Sequence, residues 1–194
     1  MIPSYFAPIS HWKEIVNGNI MWDLNQNFKK QTLRNRTCIY GPNKILILSI
    51  PIKHSTNNFL LKDALIENDF SWQKEHWKSI ESSYNSSPFF EYYKDSLKKI
   101  YNNHYVKLSN FNFDCINLIS EWLEINKELN LTKSYKKKYE NDIDLRKISE
   151  KKNDDTFKVE KYIQVFSSKH GFKNNLSILD LIFNQGPNSM SYLN

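Results

Sequence analysis

The sequence predicts a single domain of the α/β or α+β class, with a small sheet near the N-terminal half and packed helices in the C-terminal half. Three observations predict it. At roughly 150 residues per domain, 194 residues make one domain, here spanning residues 1–194. Short β-type runs alternate with helical runs early in the chain, and helical periodicity prevails after about residue 70. A content of 40% hydrophobic and 14% aromatic residues supplies a core of ordinary size and argues against a disordered chain.

The elements follow in order. Tyr5 to Ile9 reads as extended, and Ser10 is placed to cap a short helix from His11 to Val16 that stops at Asn17-Gly18. Ile20 to Leu24 reads as a strand. Leu33 to Tyr40 and Lys44 to Ile52 flank Gly41-Pro42-Asn43, a hairpin turn. Ser71 caps a helix from Trp72 to Tyr84, in which Trp77, Ile80 and Tyr84 form the packing stripe and His76 lies on an adjoining face. Ser87-Pro88 is a start signal, a cap followed by proline at the first helical position, for a helix running to about Asn102. Another helix is expected from about Asp114 to Glu128, with Ile116, Ile119, Trp122 and Leu123 at helical spacing. Residues 132–155 are highly charged and read as a surface segment. Tyr162 to Ser168 and Ser177 to Asn184 look helical, the second stopped by Gly186-Pro187.

Several chemistries are excluded by what is missing. Cys38 and Cys115 stand far apart, without the spacing of a zinc site or a disulfide scaffold. Only four glycines occur, so no Gly-rich phosphate cradle can be written, and no serine sits in a nucleophile elbow. No two histidines lie three or four apart, so no metal site is expected, and the sequence names no cofactor. The longest mostly apolar run, Ile45 to Ile52, falls far short of the ~18 to 20 residues of a membrane span. The N-terminal residues lack the pattern of a secretory signal, which places the chain in the cytoplasm.

The net charge of +6 suits an anionic partner, but most of the excess is lysine spread along the chain. Lys136 to Lys138 between Tyr135 and Tyr139 could neutralise and stack single-stranded nucleic acid. No nucleic-acid module surrounds them, so a nucleic-acid partner is not expected. The three arginines carry more information, because a guanidinium offers a planar bidentate grip on carboxylate or phosphate that lysine cannot copy. In a strand from Leu33 to Tyr40, alternation puts Arg34 and Arg36 on one face, with Lys30, Gln31 and Asn35 nearby. Such a cluster suits an anionic small molecule and equally suits a solvated edge strand charged against aggregation. His76 could move protons near neutral pH, and an imidazole between tryptophans is also a common packed residue.

Four ordered blocks carry a resemblance. They are Lys30-Gln31-Thr32-Leu33-Arg34-Asn35-Arg36, Trp72-Gln73-x-x-His76-Trp77-x-Ser79-Ile80, Ser87-Pro88-Phe89-Phe90-Glu91-Tyr92-Tyr93, and Leu176-Ser177-Ile178-Leu179-Asp180-Leu181-Ile182-Phe183-Asn184-x-Gly186-Pro187. With them the chain resembles the bacterial WbqC-like family from Tyr5 to Leu193, in its Bacteroidetes-type branch. The resemblance implies a role in surface-polysaccharide synthesis, with transfer of glycine to a sugar as one suggested activity. It brings no established catalytic residues. The family's opening segment is also similar to the start of nucleotidyltransferase-like α/β folds, an analogy at fold level.

The combined expectation is a transferase moving an acyl or aminoacyl group onto a sugar or related anionic small molecule, with a nucleotide sugar or an aminoacyl donor as its anionic small-molecule substrate. Lys30, Arg34 and Arg36 would hold the anion, Gln31 and Asn35 would orient it, and His76 would act as general base. The rival expectation is a non-catalytic anion-binding or accessory protein using the same basic strand.

Overall fold

The N-terminal residues, expected to be merely extended, are buried from Met1 to Ile9 and tie distant parts of the chain together. A computed structural model describes residues 1–126, 128–139, 142–150 and 157–194. In it the Tyr5 amide donates to the Leu33 carbonyl at 3.0 Å, Asn112 donates to the Pro3 carbonyl at 3.2 Å, and the Ile178 amide donates to the Ala7 carbonyl at 3.0 Å. The Phe6 carbonyl accepts from the hydroxyls of Thr37 and Ser177 at 2.9 and 3.0 Å. A segment with no ladder of its own thus has its backbone groups satisfied by its neighbours, which burial demands.

Helix α1 spans Ile9–Asn17. It begins earlier than expected, because extended Pro8 takes the N-cap position in place of Ser10. Strand β1 is Met21–Trp22, shorter than the predicted run. Strands β2 (Arg36–Tyr40) and β3 (Ile45–Ser49) form the antiparallel hairpin expected around Gly41-Pro42-Asn43, with Arg36 opposite Ser49 and Tyr40 opposite Ile45. The ladder starts at Arg36, not Leu33. A turn closed by the Asn35 amide on the Thr32 carbonyl, at 3.2 Å, keeps Arg34 out of the strand.

Helix α2 (Trp72–Tyr84) has the expected bounds, with Ser71 at the N-cap position but making no side-chain cap bond, and α3 (Phe90–Asn102) begins two residues after the expected Pro88, with Phe89 and not Ser87 at its N-cap. Helix α4 runs Leu108–Trp122, ahead of the expected 114–128. Its start is set by a tertiary bond, the Leu108 amide on the Ala64 carbonyl at 3.0 Å. It ends with Glu124 in the left-handed region at φ 55° and the Ile125 amide reaching back to the Ser120 carbonyl at 3.0 Å, a Schellman-like stop built without glycine.

Strand β4 (Asn130–Leu131) pairs in parallel with β1. The charged segment is largely exposed, but its part from 146 to 150 forms a 3₁₀ turn in which Arg146 and Ser149 are buried; 151–156 lie outside the described residues. The helix expected at 162–168 is replaced by an extended stretch with Tyr162 and Gln164 buried and Ile163 exposed, followed by the single-turn α5 (Ser167–His170). The Gln164 side chain explains this: its amide nitrogen donates to the Lys173 carbonyl at 2.9 Å and its oxygen accepts the Lys173 amide at 2.8 Å, mimicking a strand partner.

Helix α6 (Ile178–Gln185) carries Ser177 at its N-cap, the side chain accepting from the Leu179 amide. It ends at Gly186, whose φ of 52° and close approach to the Phe89 ring, 2.5 Å from where a Cβ would stand, both require glycine. The helices share one core, in which rings of Tyr5, Trp72, Tyr101 and Phe111 pack together and Phe183 meets Tyr84 and Phe90. With its hairpin separate from its helices, the fold is α+β. No helix among the described residues is long and apolar enough to cross a membrane.

Candidate functional site

The basic block folds as a turn, and the turn positions its side chains. Thr32 donates its hydroxyl to the Lys29 carbonyl at 2.9 Å, and Gln31 takes a left-handed conformation at φ 63°. The Leu33 amide donates to the Ser149 carbonyl at 3.1 Å, and Asn112 donates to the Arg34 carbonyl at 2.8 Å. Held from both sides, the Arg34 side chain is 0% exposed. Its Nη1 donates to Thr32 Oγ1 at 3.1 Å, while Nε and Nη2 have no hydrogen-bond partner among the described residues. Glu150 stands close, with Oε1 at 3.7 Å from Nη2, and the same Oε1 accepts from Lys29 Nζ at 2.7 Å. Burial pulls the Arg34 pKa below its ordinary value and Glu150 opposes the shift; Lys29 holds the Glu150 carboxyl below the usual range.

The neighbours extend this arrangement. Asn35 donates its side-chain amide to the Ile50 carbonyl at 2.9 Å, which leaves its Oδ1 buried without a partner. Arg36 is half-buried at the start of β2, and its Nε is likewise unpartnered. Lys30 and Gln31 are exposed at the turn's outer edge.

His76, on α2, is 6% exposed and touches the hairpin from the other side. Its ring faces the backbone of Ser49, the residue opposite Arg36 in the ladder. Its Nδ1 bonds the Tyr5 hydroxyl at 2.9 Å, and that hydroxyl is 2.5 Å from the Tyr101 hydroxyl. Burial lowers the His76 pKa to about 4, so the imidazole is neutral near pH 7. The neutral ring, the Tyr5 hydroxyl and the Tyr101 hydroxyl thus form one chain of hydrogen bonds whose direction is set by the imidazole tautomer. Arg36 and His76 therefore meet the same strand residue, while Arg34 faces Glu150 instead.

A family model describes this sequence over residues 3–160 under the heading WbqC-like protein family. The chain belongs to the WbqC-like family. No curated protein and no solved structure matches it. The matched span includes Lys30, Gln31, Arg34, Asn35, Arg36, His76 and Glu150, and it stops before the fourth block at Leu176 to Pro187.

Three features of this WbqC-like chain escape a reading of its sequence. Glu150 enters the Arg34 environment, and nothing local marks a glutamate 116 positions downstream as its neighbour. A cavity of about 720 Å³ opens elsewhere, between β1, β4 and residues 142–146, lined in part by Asp23, Lys136, Tyr139 and Arg146. There Arg146 is consumed internally: it forks onto Asp144, bonds Asp23 at 3.2 Å and the Lys136 carbonyl at 2.8 Å, and lies over the Tyr139 ring. Third, Asp180 and Asn184 on α6 are both buried and tied up within the core. Asn184 bonds the Asp180 carbonyl locally, and the Asp180 carboxyl is buried under donors from Tyr84, Tyr162 and Gln164 at 3.0, 2.6 and 2.7 Å.

Proposed function

We propose that this chain binds an anionic small molecule at Arg34, Asn35 and Arg36 and transfers an acyl or aminoacyl group to or from it, in the synthesis of a surface polysaccharide. One observation carries the binding half of this reading: a fully buried guanidinium whose Nε and Nη2 lack hydrogen-bond partners, with a second unpartnered Nε two residues on. A charged donor left in this condition costs stability, and an oxyanion filling that edge bidentately recovers it. Lys30 and Gln31 stand at the exposed edge of the turn, where a nucleotide sugar or aminoacyl donor would arrive. His76 is the candidate general base: it is unprotonated at pH 7, and its pKa of about 4 would have to rise on ligand binding for it to take a proton efficiently.

A specific observation favours a second reading. Nδ1 of His76 is already engaged by Tyr5 and the ring is buried against the hairpin, which suits a packed structural imidazole in a non-catalytic anion-binding protein. The two readings separate in one set of variants. A thermal-shift screen of nucleotide sugars and aminoacyl donors should find a ligand that raises Tm by about 5–10 °C at 100 times its Kd, and Arg36→Met should abolish the shift. With that ligand, His76→Gln removes turnover but not binding if the protein is a transferase. A ligand whose shift survives Arg36→Met would sink the placement of the site.

A further inference from the structure

Arg34 presents its unsatisfied edge to a carboxylate that does not satisfy it. Nε and Nη2 form the side of the guanidinium suited to two parallel N–H···O bonds, yet Glu150 Oε1 stands at 3.7 Å, inside ion-pair range and outside hydrogen-bonding distance. Glu150 is held there by Lys29 at 2.7 Å, a pair lying at the surface. The backbone beneath it is fixed: the Ser149 carbonyl accepts from Leu33, and the Ser149 hydroxyl packs against Ser4 at 3.3 Å. Only the Glu150 side chain, 37% exposed, has solvent to swing into.

We propose that Glu150 is a displaceable internal anion standing at the ligand's seat, and that an oxyanion, a carboxylate or a phosphate, reaches Arg34 by taking its place between Lys29 and the guanidinium. The inference rests on the reading that Arg34 and Arg36 hold an anionic substrate, and it adds the entry route and a residue that sets affinity. Displacement breaks two ion pairs, the exposed Lys29–Glu150 pair of small worth and the looser Arg34–Glu150 pair at 3.7 Å, and gives the buried fork the hydrogen bonds it lacks. Glu150 then weakens every oxyanion that binds and guards the site against weak ones. A ligand with a second charged group gains further, because Lys29 is released to meet it.

The test uses the full chain and inorganic phosphate as probe, titrated calorimetrically against wild type, Glu150→Gln, Arg34→Lys and Arg36→Met. Glu91→Gln, at an exposed α3 position, controls for net charge. Far-ultraviolet spectra confirm the fold of Arg34→Lys, and Arg36→Met gives a second site variant at a less buried position. Removing a competing carboxylate whose surface ion pair has little worth should tighten phosphate about five- to tenfold in Glu150→Gln, with Glu91→Gln unchanged and both arginine variants weakened. Glu150→Gln binding no tighter than a wild type that still depends on Arg34 would overturn the role of Glu150 and leave the anion site standing. Equal tightening by Glu91→Gln would overturn it too, as an effect of net charge. Binding indifferent to both arginine variants would overturn the site and this inference together.

Discussion

The Tyr5 hydroxyl is a single buried group that serves two others, bonding His76 Nδ1 at 2.9 Å and the Tyr101 hydroxyl at 2.5 Å. Desolvation raises the pKa of both phenols well above the ordinary value, so the chain of bonds carries neutral groups throughout. Its strength lies in mutual satisfaction: each member costs little while paired and much when orphaned. Tyr5→Phe preserves the ring's packing against Phe6 and Phe111 but strands two partners at once. The expected loss is on the order of 2–4 kcal/mol in urea denaturation. Because the three groups act as a unit, Tyr5→Phe combined with Tyr101→Phe should cost clearly less than the two single losses added. A Tyr5→Phe cost below about 0.5 kcal/mol would show that the network does not hold His76 in place. The same logic gives Arg34 its interest, since its unpartnered nitrogens, with Asn35 Oδ1 and Arg36 Nε beside them, are left unresolved by the local folding of the described residues.

Among the elements, α4 shows how a helix can end without a sequence signal. Glu124 sits in the left-handed region at φ 55°, where a side chain costs about 1–2 kcal/mol relative to glycine. Because Glu124 is exposed and already past the helix end, Glu124→Gly should stabilise the protein by about 0.5–1 kcal/mol and raise Tm by about 2–4 °C. A calorimetric Tm that falls would mean that Glu124 makes a compensating interaction. What was legible follows from the same physics. Helices α2 and α3 announce themselves through aromatic and aliphatic residues at helical spacing, and the hairpin through Gly41-Pro42-Asn43, all local signals, whereas neither Ser71 nor Ser87 makes the cap bond expected of it. The bounds of α4, the parallel pairing of Met21 with Asn130 and the Gln164 bridge are set by partners far away in sequence. At the site, residue type singled out Arg34, Arg36 and His76. The burial of Arg34 and the approach of Glu150 arise only when the charged segment packs against the turn.

Across the whole molecule, three buried titratable groups oppose one another as pH falls. His11 and His76 are both lowered by desolvation to about 4 from an ordinary 6.5, while desolvation raises Asp180 to about 6 from 3.8. For each histidine the stabilisation is complete above pH 6.5 and is lost as pH drops through 4, because the unfolded chain takes up the proton first. For Asp180 the sign reverses: its contribution is complete below 3.8 and is lost as pH rises through 6. At 1.36 kcal/mol per unit, each group is worth on the order of 3 kcal/mol. Two histidines outweigh one carboxyl, so wild-type stability should decline by about 3 kcal/mol between pH 6.5 and 4. Asp180→Asn removes the compensating group, and its decline over the same range should be about twice as steep. His76→Gln leaves His11 and Asp180 nearly balanced, and its curve should be almost flat. The comparison needs only urea midpoints at several pH values, and the slopes remain informative even where a variant loses stability at every pH. A wild type that grows more stable on acidification through this range would show that the imidazoles are not held neutral. The base proposed for His76 and the network proposed for Tyr5 would then both lose their footing.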